Sequence, residues 1–179
     1  MLKLFLGNMM AGKTSHLLAD LITLHDLGKN VLYVNHVKDT RDVEFSTHKS
    51  AKYQLPKGIN RVKIDQLAQI NPEGYFAIGI DEAQWYPDLV PIVKKWLSLG
   101  IYVICVGLNG DFKQEPFGDI LKLVPLAEEI IHLKAKCLQC LEGLGILNDA
   151  PFTKKLTGDP TVDQPGGSEL YAAVCRKHL

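Results

Sequence analysis

The run Gly7-Asn8-Met9-Met10-Ala11-Gly12-Lys13-Thr14 constrains this chain more than any other feature, because it joins a short apolar stretch, residues 2–6, to a segment with helical spacing. The pattern G-x-x-x-x-G-K-[ST] between a strand and a helix describes a loop whose backbone N–H groups wrap phosphate oxygens. The helix N-terminus adds partial positive charge, Lys13 reaches the outer phosphates, and the Thr14 hydroxyl holds Mg²⁺. Every residue of the loop is therefore a candidate for binding ATP with its magnesium.

The rest of the chain supplies the sheet such a loop needs. Leu17, Leu18, Leu21, Ile22 and Leu24 recur at helical spacing and predict a helix over 15–27, with Gly28 placed to end it. Residues 31–34, 76–80, 101–106 and 130–133 read as further strands, and 87–99 reads as a helix with a proline start and a Val90, Val93, Trp96, Leu97 stripe. Residues 118–126 also read as helical, whereas 38–58 are polar and without a clear period. Continuous apolar strands alternating with amphipathic helices predict an α/β fold of the P-loop, RecA-like kind, a parallel sheet covered on both faces with its site at the strands' carboxyl ends. From Cys137 onward glycine, proline and cysteine dominate, which predicts a division into a core at 1–135 and a small metal-organised lobe at 136–179.

Asp81 and Glu82 close the strand at 76–80, where a phosphate-loop protein keeps the second magnesium-organising carboxylate. Asp81 is the candidate for the metal and Glu82 for accepting a hydroxyl proton from an acceptor. The run Asp81-Glu82-Ala83-Gln84 also matches helicase-type ATPases, in which the glutamate activates water; a RecA-like, nucleic-acid-stimulated ATPase is thus the rival reading. Twenty basic against twenty acidic side chains leave no net field for gripping a nucleic-acid backbone, which favours a small substrate. The apolar N-terminal stretch is too short for a secretory or membrane-spanning segment, so a cytoplasmic protein is expected.

Cys137-Leu138-Gln139-Cys140 and Cys175-Arg176-Lys177-His178 form a C-x-x-C and a C-x-x-H knuckle. Cys137, Cys140, Cys175 and His178 suit a closed tetrahedral zinc site of structural kind, with a redox dithiol at Cys137 and Cys140 as the alternative. Cys105, inside an apolar run, is expected to be a buried core thiol. The other histidines, His16, His25, His36, His48 and His132, lack ligand spacing.

In order and spacing these pieces resemble the type II, zinc-containing thymidine kinase family. The resemblance rests on the phosphate loop, Lys38-Asp39-Thr40-Arg41, Ser46-Thr47-His48, Gly79-Ile80-Asp81-Glu82-Ala83-Gln84, Gly107-Leu108-Asn109-Gly110-Asp111-Phe112, Pro116-Phe117-Gly118, Leu123-Val124-Pro125-Leu126-Ala127-Glu128, Gly166-Gly167, Tyr171 and the final knuckle. It implies transfer of the ATP γ-phosphate to the 5′-hydroxyl of thymidine, with Glu82 as base and Lys13 and Arg41 at the transferring phosphate. Thr14 and Asp81 take the magnesium positions, Asp39 pairs with Arg41 near the phosphates, and Ala83 and Gln84 complete the strand-end motif of the nucleotide site. The thymine pocket, by the same comparison, takes Met9, Leu108, Phe112, Phe117, Thr153 and Tyr171, with backbone groups of Val162, Asp163, Gln164, Pro165 and Gly166, a loop called the lasso in this family. A homotetramer and feedback by thymidine triphosphate are implied likewise. Three positions depart from the family pattern: Asn109 stands for aspartate, Trp85 for phenylalanine, and Pro165, which has no N–H to offer a base, for an aliphatic residue.

Overall fold

The structure is a computed structural model that describes residues 1–39, 55–158, 161–162 and 165–179. Its centre is a parallel sheet built from β1 (Leu2–Gly7), β2 (Val31–His36), β3 (Asn60–Ile64), β4 (Ala77–Ile80), β5 (Tyr102–Leu108) and β6 (Glu129–Leu133), in the order β3-β2-β4-β5-β1-β6. Leu4 lies beside Cys105 on one neighbour and beside Ile130 on the other, so β1 is an interior strand, between β5 and the edge strand β6.

Strand alternation sorts the core into two layers. Leu2, Leu4 and Leu6 of β1, Leu32 and Val34 of β2, Ile78 and Ile80 of β4, and Val103 and Cys105 of β5 face α2 (Leu89–Ser98), whose Leu89, Val93 and Trp96 pack among them. The opposite set, Phe5, Val31, Tyr33, Ala77, Ile104 and Val106, packs on α1 (Lys13–Asp26) through Leu17, Leu18 and Leu21. Helices thus cover both faces, as the unbroken apolar strands predict. Cys105 is fully buried, and burial drives its thiol upward, leaving it inert.

Three elements differ from the sequence expectation. No apolar run marks β3, an edge strand whose Arg61 and Lys63 alternate with Val62 and Ile64, so that only two of its five side chains are apolar. Residues 118–126 form no α-helix but a 3-10 helix, Ile120–Leu126, that contains Pro125, which has no N–H for an i→i−4 bond. Beyond β6 the chain is not loop alone. The ladders β7 (Ala135–Lys136) with β8 (Asp149–Ala150), and β9 (Phe152–Lys155) with β10 (Tyr171–Val174), flank the short helix α3 (Leu138–Leu144). The buried cluster here holds only Ala135, Ala150, Ala173 and the thiols of Cys137, Cys140 and Cys175, with no large aliphatic side chain. No helix among the described residues is long and apolar enough to cross a membrane.

Candidate active site and metal centre

A cleft of about 620 Å³ opens where β1, β4 and β5 end, as the parallel topology requires. The phosphate loop forms its floor. Gly12, at φ 82°, turns the chain through the left-handed region directly into α1, so the helix begins at Lys13 and its first residues, Lys13, Thr14 and Ser15, line the cleft. Lys13 Nζ donates to the Asn8 carbonyl at 2.7 Å, folding the side chain back across its own loop. Asn8 and Met9 are stitched to β9, since Asn8 Nδ2 donates to the Phe152 carbonyl at 3.3 Å and the Met9 N–H donates to Thr153 Oγ1 at 3.2 Å. Ala135 N–H completes the seam by donating to Asn8 Oδ1 at 3.4 Å.

At the end of β4 the two carboxylates sit side by side. Asp81 accepts from Thr14 Oγ1 at 3.3 Å, from Tyr33 OH at 2.8 Å and from the Glu82 N–H at 2.9 Å. Burial first, and then the charge of Glu82, push the Asp81 carboxyl up to about 7, against the pull of Tyr33 and Thr14. Two hard oxygen donors meet there beside Lys13, and a buried acid whose charge is costly without a cation fits a magnesium position. Glu82 occupies the left-handed region at φ 50°, an uncommon conformation for a side chain with a Cβ, and it turns the chain out of the strand at this point.

This placement carries a stability prediction. A carboxyl with a raised folded-state pKa binds its proton more tightly when folded, so the metal-free protein loses stability as pH rises from about 4 toward 7. Asp81→Asn escapes that loss. Its melting temperature in the absence of metal should exceed that of the wild type by roughly 5 °C at pH 8, with the gap closing near pH 4, as thermal melts across pH would measure.

The structure places Met9, Met10, Gly12, Lys13, Thr14, Asp39, Asp81, Glu82, Leu108, Phe112, Phe117, Thr153, Val162, Pro165, Gly166 and Tyr171 around one cleft. Gly7, Asn8 and Ala11 shape the loop from behind, and Ala83 and Gln84 lie buried beneath Glu82 instead of on the cleft wall. Arg41, Asp163 and Gln164, with Thr40, Ser46, Thr47 and His48, fall outside the described residues. The cleft also uses Ser15, Tyr33, Trp85, Asp111, Leu138 and Glu169, which the sequence reading did not single out as site residues. Tyr33 could be found only from the register of β2 against β4, which sets it beside Gly79, two residues before Asp81. Lys155 braces the aromatic wall, with Nζ 5.2 Å from the Phe112 ring and 5.8 Å from the Tyr171 ring, and donates to the Thr161 carbonyl at 2.6 Å.

The knuckles converge as their spacing predicts. The ligand atoms of Cys137, Cys140, Cys175 and His178 all lie within 4.8 Å of one another. His178 Nδ1 is 3.3 Å from Cys137 Sγ and 3.5 Å from both other sulfurs, and the sulfurs of Cys140 and Cys175 are 3.6 Å apart. Sulfur and nitrogen ligands about 2.0–2.3 Å from one tetrahedral zinc stand roughly 3.5–3.8 Å from each other, the separation found for His178 with Cys140 and Cys175 and for Cys140 with Cys175. Burial opposes ionisation of Cys137, but the Cys175 N–H and His178 outweigh it and bring its thiol down to about 6. A dithiol pair alone would leave Cys175 and His178 without a reason to be here.

With this geometry in place, comparison with known proteins is direct. The family model described as thymidine kinase matches residues 1–179. The chain is 34% identical over 177 residues to the cytosolic thymidine kinase of Homo sapiens, covering 98% of this chain and 71% of that one. It is 35% identical over 175 residues to the thymidine kinase of fowlpox virus (strain NVSL), covering 96% and 92%. The thymidine kinase of myxoma virus (strain Uriarra) is 32% identical over 176 residues, covering 97% and 93%. A phosphate loop, a strand-end pair of carboxylates and a match that runs from the first residue to the last agree on one assignment: the chain belongs to the thymidine kinase family.

Proposed function

We propose that the enzyme transfers the γ-phosphoryl group of ATP to the 5′-hydroxyl of thymidine, giving thymidine monophosphate for nucleotide salvage and DNA-precursor synthesis. The observation that carries this reading is that Glu82 shares a single cleft with Lys13 and Thr14 and with Phe112, Phe117 and Tyr171. Phosphoryl transfer needs little covalent help from a protein; it needs in-line positioning and neutralised charge. Lys13 and the N–H groups of the loop and of α1 hold the phosphates, with Arg41 assigned to the same task. Thr14 and Asp81 would hold magnesium, which when bound screens the charge of the phosphates. Glu82 accepts the proton of the attacking hydroxyl. The aromatic rings cover the faces of the pyrimidine, and the backbone of residues 162–166 reads its polar edge.

Cys137, Cys140, Cys175 and His178 would hold zinc, which here serves folding and leaves no open coordination position for chemistry. The division into a nucleotide-binding core at 1–135 and a zinc lobe with its lasso at 136–179 belongs to the same proposal. It is supported by the separate cluster of alanines and thiols around the knuckles, which begins at the boundary residue Ala135 and otherwise lies beyond it. So do a cytosolic location, as printed in the names of the mammalian relatives, assembly as a homotetramer, and feedback inhibition by thymidine triphosphate.

The test is ATP consumption measured with thymidine, deoxyuridine, deoxycytidine, single-stranded DNA and no acceptor. Thymidine should raise turnover far above the acceptor-free rate, and deoxyuridine less so, because a missing methyl group costs roughly 10- to 200-fold in an apolar pocket. Consumption that responds to DNA, or to nothing, rejects the proposal.

A further inference from the structure

Gln84 is 4% exposed and lies outside the cleft wall, yet its side-chain amide is engaged at both ends. Nε2 donates to Glu82 Oε2 at 2.6 Å, and Oε1 accepts from the Leu108 N–H at 3.0 Å. Only this orientation satisfies both neighbours, because the flipped amide would set a carbonyl against a carboxylate and an NH₂ against an N–H. The fit around it is tight. A Cβ at position 107 would come within 2.4 Å of Gln84 Oε1, and one at position 118 within 2.0 Å of the Gln84 carbonyl oxygen, so glycine at both positions is what lets Gln84 lie against β5 and the turn that follows.

The neighbouring backbone makes this contact matter. Glu82 sits in a left-handed turn past the end of β4, so no regular strand geometry dictates where its carboxylate points. The amide of Gln84 does. Its other end is fixed to Leu108, the last residue of β5 and part of the cleft wall. We infer that Gln84 is a positioning residue that fixes the Glu82 carboxylate for proton acceptance and couples that position to the Leu108 wall of the nucleoside site. The inference rests on the proposed role of Glu82 as base.

In the full-length chain, Gln84→Met removes both hydrogen bonds while keeping length and volume. It should lower kcat roughly 10- to 100-fold, as a base displaced by about an ångström would, with KM for ATP and thymidine changed no more than about twofold. In a Glu82→Gln background the same substitution should change kcat by less than about twofold, since the group it positions no longer takes a proton. Equal losses in both backgrounds would mean that Gln84 only supports packing, and that overturns the inference. Gln84→Glu covers the case in which the methionine variant does not fold: it keeps the shape and the acceptor for Leu108 but sets carboxyl against carboxyl. It should lose turnover to the same extent at pH 8, and wild-type turnover there also overturns the inference. Failure of the underlying reading looks different, because Glu82→Gln would then itself retain wild-type kcat. An inactive Glu82→Gln beside a fully active Gln84→Met rejects the role of Gln84 alone.

Discussion

Glu82→Gln is expected to lower kcat on the order of 10²-fold or more while leaving the affinity for ATP nearly unchanged. The substitution keeps size and shape, and its amide oxygen can still accept from Gln84 Nε2, which now donates to Glu82 at 2.6 Å. The site should therefore stay assembled. What disappears is an atom able to take the proton of the acceptor hydroxyl, so the loss belongs in turnover and not in nucleotide binding. The phosphate loop, Thr14 and Asp81, proposed to hold the other substrate, are untouched. Steady-state kinetics with thymidine and titration calorimetry with ATP separate the two effects, and an unchanged kcat removes Glu82 from the chemistry.

Removing the metal should cost more than chemistry. The cluster around the knuckles buries only alanines and thiols, and among the described residues beyond it Val174 and Tyr171 are the only larger apolar side chains buried, so apolar burial alone holds this segment weakly. Binding of structural zinc supplies on the order of 10 kcal/mol, enough to fold a segment of this size. Cys175→Ser, or treatment with a strong chelator, should lower the melting temperature by roughly 10 °C or more and raise KM for thymidine at least about tenfold. The nucleoside side suffers because Thr153, Pro165, Gly166 and Tyr171 all come from this lobe. Metal analysis should return one zinc per chain in the untreated protein. A chelated protein with unchanged melting and unchanged KM for thymidine would contradict the assignment.

The parts of the site that follow from local sequence were legible in advance, and those that depend on packing were not. The phosphate loop, Asp81 and the two knuckles announce themselves because each needs particular residue types at fixed short spacing. The central strands could be read because burial on both faces makes them continuously apolar. The edge strand Asn60–Ile64 escaped because one side of it is polar. The 3-10 helix Ile120–Leu126 carries an apolar pattern that suits either helix type, and only Pro125 argued against α. The aromatic residues Phe112, Phe117 and Tyr171 look like core in any hydropathy pattern, and it took the resemblance to a family to place them at a pocket. Tyr33 and the bracing Lys155 reach the site across strands and turns distant in sequence, so no local pattern marks them.

The seam between loop and lobe, in which Asn8 and Met9 exchange hydrogen bonds with Ala135, Phe152 and Thr153, bears on how this enzyme could be recombined with its relatives. Positions 135 and 152 take part through backbone groups that any imported sequence supplies, so a chimaera keeps the seam as long as the amide of Asn8 and a hydroxyl at position 153 are both present. Designs that alter nucleoside choice by exchanging the C-terminal part should therefore treat Asn8 and Thr153 as one unit.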